Sequence, residues 1–191
     1  MTNIALFASG GGSNARKIIE YFEGSSVGRV ALVVSNKPNA GVLAIAAEHG
    51  IPTQIIVRRG FYETEEILEV LEKQKIDFVV LAGFLWLVPG YLVRAFPRRM
   101  LNIHPALLPK FGGKGMYGHH IHEAVKATGE TETGMTIHFV NEHYDDGDLV
   151  FQAKCAVSVK DSAEDIARNV LALEHRFFPE VIEQVICGEM A

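Results

Sequence analysis

The sequence predicts an α/β fold, in which an open, twisted and mostly parallel sheet carries helices on both faces and an antiparallel strand toward the C-terminal half. Over the first hundred residues, short apolar runs alternate with stretches whose apolar residues recur at helical spacing, which is typical of β–α–β units. These runs are apolar throughout, as strands buried on both faces are. Residues 133–140 alternate with period two instead, which is typical of a strand.

Length and composition limit the class of protein. The 191 residues fit one domain of ordinary size. Acidic residues outnumber basic ones, 23 Asp+Glu against 18 Lys+Arg, which argues against a nucleic-acid partner. The sequence has only two cysteines, no signal-peptide pattern and no apolar run of membrane-spanning length, so we expect a cytoplasmic protein without a membrane partner.

Strands and helices alternate regularly in the first half of the chain. The predicted strands are Asn3–Ser9, Arg29–Ser35, Pro52–Val57 and Phe78–Ala82. The predicted helices follow them over Ala15–Phe22, Val42–His49, Tyr62–Lys75 and Pro89–Phe96. Charged residues share these helices with apolar ones, so we expect each helix to cover the sheet with one face.

The second half continues with a loop, a helix, two strands and a closing helix. The predicted segments are Phe111–Gly118, His119–Ala127, Thr133–Val140, Leu149–Val159 and a helix that starts after Ser162. The loop is rich in glycine, which predicts mobility. Ser162 and Asp165 have the spacing of a capping box, and Pro179 is expected to interrupt the closing helix.

The stretch from Leu101 to Lys110 places an amide and an imidazole two residues apart. Residues at that spacing share one face of a strand, so Asn102 and His104 project together. Pro105 has no N–H for a sheet ladder, so the strand ends at His104 and leaves both side chains at its carboxyl end, where open α/β sheets bind ligands. The alternative is that both residues only terminate the strand, since Asn and His are common turn residues.

A glycine-rich loop joins the first strand to the first helix. Its sequence, Gly10-Gly11-Gly12-Ser13-Asn14-Ala15, matches the dinucleotide pattern G-x-G-x-x-A. The second strand, however, ends in Ser35-Asn36-Lys37 without the acidic residue that would hold a ribose, which argues against NAD. Free N–H groups at a helix N-terminus attract anions, so the loop predicts a monophosphate site. A tight turn capped by Asn14 is the alternative.

Three other features have more than one interpretation. The loop after the fourth strand, Gly83–Val88, keeps large apolar side chains, which either line a pocket or cover the sheet edge. His119, His120 and His122 cluster at a helix start, but no third convergent ligand or Cys pair is identifiable, so we predict no metal there and expect a solvated helix start near the substrate. His138 alternates onto a strand face, either as a packed residue or as support for catalytic groups.

Several motifs together resemble the folate-dependent formyltransferases over nearly the whole chain. They are S-G-G-G-S-N at residues 9–14, L-A-G-F-x-W-L-V-P at 81–89, L-N-I-H-P-A-L-L-P-K at 101–110, T-I-H-F-V at 136–140 and Asp145-x-Gly147. The Asn102-x-His104-Pro105 stretch, joined to Asp145-x-Gly147, is the part that these enzymes share. The glycine-rich loop resembles the branch of the family that acts on glycinamide ribonucleotide. The family's sheet is Rossmann-like.

The resemblance implies a role for each matching position. Asn102, His104 and Asp145 would be the catalytic trio. The substrate phosphate would be held by Gly11, Gly12, Ser13 and Asn14, with Lys110 nearby, and the rest of the ribonucleotide would contact Glu174 and Pro105. The folate would be bound by Leu85, Trp86, Leu87 and Val88, mainly through backbone groups, and by Asn102, Asn141, Tyr144 and Asp145.

The implied reaction transfers the formyl group of the co-substrate 10-formyltetrahydrofolate to the amine of glycinamide ribonucleotide, in purine biosynthesis. Asn102 and a protonated His104 would donate to the tetrahedral oxyanion. Asp145 would favour the charged form of His104 and accept the amine proton through a water. No metal is required. Residues 1–100 would form the phosphate-binding half and residues 101–191 the catalytic and folate-binding half of a single formyltransferase domain.

Other functions stay open at the level of sequence. Methionyl-tRNA formyltransferase and formyltetrahydrofolate hydrolase resemble the chain in its core, but each has an additional domain that we do not expect here. A nucleotide-binding regulatory domain would keep the glycine-rich loop without a reason to retain the trio. Trp86 and the acidic run Tyr144–Asp148 depart from the family pattern and concern folate affinity. The oligomeric state is not predicted.

Overall fold

The computed structural model describes residues 1–190 and contains a seven-stranded sheet with helices on both faces. The strands are β1 (Thr2–Phe7), β2 (Gly28–Ser35), β3 (Thr53–Ile55), β4 (Phe78–Leu81), β5 (Met100–His104), β6 (Glu132–Phe139) and β7 (Leu149–Ala156). The helices are α1 (Ser13–Phe22), α2 (Gly41–Glu48), α3 (Arg58–Glu63), α4 (Glu66–Lys73), α5 (Gly90–Ala95), α6 (His119–Ala127) and α7 (Ala163–Ile186). The predicted fold class is confirmed.

The strand order is β3-β2-β1-β4-β5-β6-β7. Pairs from β3 to β5 are parallel, whereas β5–β6 and β6–β7 are antiparallel. The chain first builds the sheet from β1 toward β3 and then returns to the other side of β1 with β4. In open α/β sheets the reversal of order leaves a crevice at the carboxyl ends of the strands. Here that crevice lies beyond β1 and β4.

Two apolar clusters cover the two faces of the sheet. Helices α1, α2, α6 and α7 pack on one face, where Ile18, Ile121 and Phe178 are fully buried. Helices α3, α4 and α5 pack on the other, where Phe61 and Leu92 are buried. The helices therefore hold the strand ends, and the loops that follow them, in place from both sides. No helix within residues 1–190 has the length and apolarity to cross a bilayer.

The structure corrects the single helix predicted over Tyr62–Lys75. Two helices, α3 and α4, occupy this region, and Glu65 between them has a positive φ of 55°. Phe61 and Ile67 are both buried in the same cluster. A spacing of six residues does not return to one face of a helix, so a continuous helix could not bury both side chains against the sheet.

The predicted interruption at Pro179 is wrong, because α7 continues from Ala163 to Ile186 with Pro179 inside it. A proline in a helix interior costs about 3 kcal/mol. Phe178, Val181 and Ile182 around it are almost fully buried, and their burial offsets that cost. The predicted capping box is confirmed: the Ser162 side chain accepts from the backbone N–H of Asp165, and the Asp165 side chain accepts from that of Ser162.

Candidate active site

A cleft at the reversal of strand order consists of two adjoining cavities. The first, of about 370 Å³, is lined by the glycine-rich loop and by residues of α6 and α7, and we call it the glycine-loop cavity. The second, of about 560 Å³, is lined by the end of β5 and by the loops around it, and we call it the trio cavity. Both are lined by Asn14, Pro105 and Glu174. Two ligands bound there would meet at these residues.

The predicted trio comes together in the trio cavity. Asn102 and His104 extend from the end of β5, and Asp145 reaches them from the loop between β6 and β7. Asp145 Oδ1 lies 3.4 Å from His104 Nδ1 and 3.4 Å from Asn102 Nδ2. The His104 Nε2–H donates to the carbonyl oxygen of Phe111 at 2.7 Å. A carboxylate, an amide and an imidazole therefore share one small site.

Asp145 is held in its ionised form. Burial by itself raises the pKa of its carboxyl group, but the neighbouring His104 and His138 and the backbone N–H of Gly113 lower it further, so the net pKa lies well below its usual range. The Gly113 N–H donates to Asp145 Oδ2 at 3.0 Å. These contacts thus favour the carboxylate form of Asp145.

His138 supports this cluster, which decides between the two interpretations of this residue. Its Nδ1–H donates to the carbonyl oxygen of Phe139 at 2.8 Å. Its Nε2 is therefore free to accept in the neutral ring, and Asn102 Nδ2 donates to it at 3.0 Å. His138 Nε2 is also 3.7 Å from Asp145 Oδ1. The amide of Asn102 is consequently fixed by a neighbour on β6.

The glycine-rich loop delivers backbone donors to the smaller cavity. Gly12 caps α1 with φ 82°, and a side chain at this position would collide with Val42. Because glycine has no side chain, the first N–H groups of α1 stay free for a ligand. Gly11, Gly12, Ser13 and Asn14 all line the glycine-loop cavity. The structure thus places these four predicted phosphate ligands together.

Glu174 lies between the two cavities, on α7. It is 6% exposed, and burial raises the pKa of its carboxyl group although a hydrogen bond from Asn14 opposes that shift. Asn14 Nδ2 donates to Glu174 Oε2 at 2.6 Å. Pro105 lines both cavities beside it. The two predicted contacts to the remainder of the ribonucleotide therefore lie next to the glycine-rich loop.

Only half of the predicted folate-binding residues line the trio cavity. Leu85, Asn102, Tyr144 and Asp145 line the trio cavity. The other four predicted residues, Trp86, Leu87, Val88 and Asn141, are not part of its lining. Val88 is buried in the core, and the ring of Trp86 packs against Phe61 and Tyr62. Contacts from the backbone of this loop, as the family resemblance implies, stay a prediction.

Lys110 lies away from both cavities, which corrects its expected place near the phosphate. Its Nζ pairs with Glu130 at 2.9 Å, along a groove on another part of the surface. Lys37 and Lys114 line the trio cavity instead. Lys37 follows β2 at the carboxyl edge of the sheet, a position that sequence reasoning could have used. Lys114 belongs to the loop 111–118, whose path is not encoded in a local pattern.

The histidines at the start of α6 have separate environments. His119 lies 3.5 Å from Glu123 and 3.6 Å from Glu164, and His120 lies 3.3 Å from Glu123. His122 is 6% exposed and lines the glycine-loop cavity. Within residues 1–190, no group of three His, Cys, Asp or Glu side chains is placed to hold a metal ion. The interpretation of this segment as a solvated helix start near the substrate agrees with the position of His119, whereas the burial of His122 does not follow from the sequence pattern.

A comparison with protein-family models identifies the family. Residues 2–182 match the model described as formyl transferase. The chain belongs to the formyl transferase family. Four residues of the two motifs that carry the family resemblance line the trio cavity: Asn102, His104, Pro105 and Asp145.

Individual members of the formyl transferase family resemble the chain over its full length. It is 35% identical to the phosphoribosylglycinamide formyltransferase of Haemophilus influenzae, over 100% of this chain and 90% of that protein. It is 46% identical to the chloroplastic phosphoribosylglycinamide formyltransferase of Arabidopsis thaliana, over 97% of this chain. The chain spans 65% of the length of that plant relative.

A solved structure has the same fold. The glycinamide ribonucleotide transformylase 1 of Symbiobacterium toebii superposes with a TM-score of 0.89 and is 35% identical, over 98% of this chain and 89% of that one. The mostly parallel sheet and its antiparallel extension are therefore features that this chain has in common with a family member of known structure.

Proposed function

We propose that the chain transfers the formyl group of 10-formyltetrahydrofolate to the amine of glycinamide ribonucleotide, a step of purine biosynthesis. One observation carries the proposal: the cluster of Asn102, His104 and Asp145 lies where a cavity with free helix N–H groups meets a second, larger cavity. A phosphorylated amine and a folate could be bound side by side, with the reacting atoms between them. The names of the relatives at 35% and 46% identity support the same reaction.

The ribonucleotide would occupy the glycine-loop cavity. Its phosphate would accept hydrogen bonds from the N–H groups at the start of α1, with Ser13 and Asn14 as further donors. Glu174 would accept from hydroxyl or amide groups next to the phosphate. This orientation directs the amine toward Pro105 and the end of β5. The folate would fill the trio cavity, between the Gly83–Val88 loop and Tyr144.

The trio would then act on the tetrahedral intermediate. The amine nitrogen attacks the formyl carbon, and negative charge develops on the formyl oxygen. His104 Nε2–H donates to a carbonyl oxygen, that of Phe111, in the free protein, and the formyl oxygen would replace this acceptor. Asn102 would supply a second donor. Preorganised donors of this kind commonly contribute about 2.7–4 kcal/mol each to transition-state stabilisation.

Asp145 would complete the proton transfer. Neighbouring donors hold its pKa low, so its carboxylate is ionised. Its negative charge would orient a water and stabilise that water as it takes up the amine proton. The proton then reaches the folate nitrogen as the bond from that nitrogen to the formyl carbon breaks. The products are formylated ribonucleotide and tetrahydrofolate, so atoms and charge balance without a metal or a covalent enzyme intermediate.

Product analysis tests the proposal directly. The purified protein is incubated with 10-formyltetrahydrofolate and glycinamide ribonucleotide, and the formylated product is measured by mass spectrometry. Parallel reactions contain methionyl-tRNA as acceptor, or no acceptor other than water. We expect product only with the ribonucleotide. Formylated tRNA, or release of formate at a comparable rate without acceptor, would assign the chain to another branch of the family.

We also propose a cytoplasmic location. Cys155 and Cys187 are both free thiols, as is usual in a reducing compartment. The Arabidopsis relative is named as chloroplastic, so a plastid is the competing location. Cell fractionation against compartment markers distinguishes the two.

A further inference from the structure

The glycine-loop cavity has little permanent positive charge, although a phosphate is proposed to bind there. Among residues 1–190, neither Lys nor Arg lines this cavity, and Glu174 adds a carboxyl group to its wall. Its basic side chains are two imidazoles of α6, His119 and His122. A phosphate monoester carries close to two negative charges at pH 7. The free N–H groups of α1 therefore need further donors to hold it.

Of these two imidazoles, that of His122 is the buried one. It is 6% exposed, and its Nδ1 is buried without a hydrogen-bond partner among the described residues. No protein acceptor thus ties down the ring, although polar atoms in protein interiors are usually paired. His119, in contrast, is about half exposed and lies near the carboxylates of Glu123 and Glu164.

Burial and two neighbouring imidazoles favour a neutral His122 ring. The imidazoles belong to His119 on its own helix and His104 on β5. The carboxyl group of Glu174 on α7 lines the same cavity. Burial, together with the positive charges that His119 and His104 can carry, lowers the pKa of His122. A neutral imidazole keeps one N–H and can donate one hydrogen bond.

We propose that His122 binds the phosphate of the ribonucleotide, with its imidazole N–H donating to a phosphate oxygen across the cavity from the glycine-rich loop. The inference rests on the proposed function, since it takes the ribonucleotide as the ligand of this cavity. Donors would then reach the phosphate from two sides, from the start of α1 and from α6. His122 would thereby discriminate a phosphorylated substrate from its dephosphorylated form.

The test compares two ligands and three variants by isothermal titration calorimetry. The ligands are glycinamide ribonucleotide and glycinamide riboside, which lacks only the phosphate. His122→Phe removes the donor and keeps a ring, and we expect its ribonucleotide affinity to fall about tenfold to a hundredfold. Riboside affinity should stay within about twofold of wild type. His122→Gln retains a donor and should recover part of the loss. His120→Phe, on the exposed face of the same helix, is the matched control and should bind both ligands as wild type does.

Two results would overturn the proposal. An unchanged ribonucleotide affinity in His122→Phe removes His122 from the site, and an equal loss for both ligands makes its role one of packing. If His122→Phe does not fold, NMR of the wild type with ¹⁵N-labelled histidine decides: the ring nitrogens of His122 should shift with the ribonucleotide and not with the riboside. Absence of that difference contradicts the proposal.

Failure of this inference can be told apart from failure of the proposed function. Product formation by the wild type tests the function alone, so a catalytically active wild type with normal binding by His122→Phe overturns only the role of His122. A wild type that forms no product overturns the proposed function. Inorganic phosphate then serves as the probe: weaker binding by His122→Phe than by wild type supports the His122 site, and equal binding contradicts it.

Discussion

Burial and hydrogen bonding have opposite effects on the ionisation of Glu174. Its carboxyl group is buried, so the ionised form is costly and its pKa is raised. The ionised form is nevertheless the better acceptor for a substrate and for Asn14, whose Nδ2 donates to it at 2.6 Å. If Glu174 binds the ribonucleotide as proposed, this position exchanges stability for binding, as residues of functional sites often do.

Glu174→Gln should have opposite effects on ribonucleotide affinity and on stability at high pH. We expect ribonucleotide binding to weaken by about 1.5–3 kcal/mol through loss of a charge-assisted hydrogen bond. The melting temperature of the variant relative to wild type should rise between pH 5 and pH 8. An acid with a raised folded pKa favours the folded state at low pH, and this contribution is lost as the pH rises through that pKa. Glu180→Gln, an exposed residue of the same helix, should show no such trend. A pH-independent difference for Glu174→Gln would contradict burial of an ionisable carboxyl.

We expect the negative charge of Asp145, rather than the size of its side chain, to matter for catalysis. Asp145→Asn keeps the outline of the side chain, so the turnover number should fall about 10²-fold or more while both substrate affinities change little. Combined with His104→Ala, its effect should be strongly non-additive, since the two side chains act as one unit 3.4 Å apart. Asp146→Asn, the exposed neighbour, is the control. Wild-type turnover by Asp145→Asn would exclude Asp145 from catalysis.

At the scale of elements, the loop between β6 and β7 brings Asp145 to the end of β5. Gly147 allows this, because a Cβ at this position would overlap the carbonyl oxygen of Phe139. That same carbonyl oxygen accepts the Nδ1–H of His138. One close approach of two backbones therefore sets both the loop and the orientation of His138.

Gly147→Ala should accordingly impair catalysis without changing any charge. The loop must move to accept the methyl group, so Asp145 should leave His104 and the turnover number should approach that of Asp145→Asn. Gly129→Ala provides the comparison, since Gly129 has a positive φ of 69° in open space and its replacement stresses the backbone far from the site. Both variants should lose stability in denaturant titrations, and only Gly147→Ala should lose turnover. A fully active Gly147→Ala would refute this account of the loop.

Helix α3 holds the apolar loop Gly83–Val88 from behind. The Tyr62 hydroxyl donates to the carbonyl oxygen of Leu87 at 2.9 Å, and Trp86 packs between Phe61, Tyr62 and Phe84. At the front of the loop, the Leu85 N–H donates to Ser9 Oγ at 2.9 Å. Aromatic residues of α3 therefore contact this loop from the side opposite Ser9.

Tyr62→Phe should therefore act on the folate side. Removing the hydroxyl frees the Leu87 carbonyl, and we expect the KM for 10-formyltetrahydrofolate to rise several-fold while the KM for the ribonucleotide stays constant. Tyr91→Phe is matched, because the Tyr91 hydroxyl also donates to a backbone carbonyl, that of Phe61, but not to the loop. Trp86 is the single tryptophan of the chain, so its fluorescence reports on the loop during folate titration. Equal effects of both variants would mean that Tyr62 has only a structural role.

For the whole molecule, the reversal of strand order between β1 and β4 explains why two cavities lie side by side. Ser13 lines only the glycine-loop cavity, and Tyr144 lines only the trio cavity. Ser13→Ala should raise the KM for the ribonucleotide, and Tyr144→Ala should raise the KM for the folate. Because the two side chains line different cavities, their effects on kcat/KM should add within about 0.5 kcal/mol in the double variant. Strong coupling would mean that the substrates share one binding region.

Much of this architecture follows from local patterns. The bounds of α6 and the end of β5 at His104 agree with the prediction, because a proline or a glycine beside an apolar segment limits it irrespective of its surroundings. The helix break at Glu65 and the continuity of α7 through Pro179 do not follow from such patterns. The helix break allows both Phe61 and Ile67 to be buried. The continuity of α7 is stabilised by the burial of Phe178 and its neighbours.

The sequence by itself determined the order of strands and helices, the pairing of Asn102 with His104 on one strand face, and the donors of the glycine-rich loop. These depend on residues that are close along the chain, whose spacing and backbone preferences act locally. Only the tertiary structure decided that Asp145 meets Asn102 across 43 residues, that Lys110 turns away from the cleft, and that His122 lines a cavity. Those outcomes depend on burial and on contacts between distant segments, which exist only when the sheet and its helices are packed together.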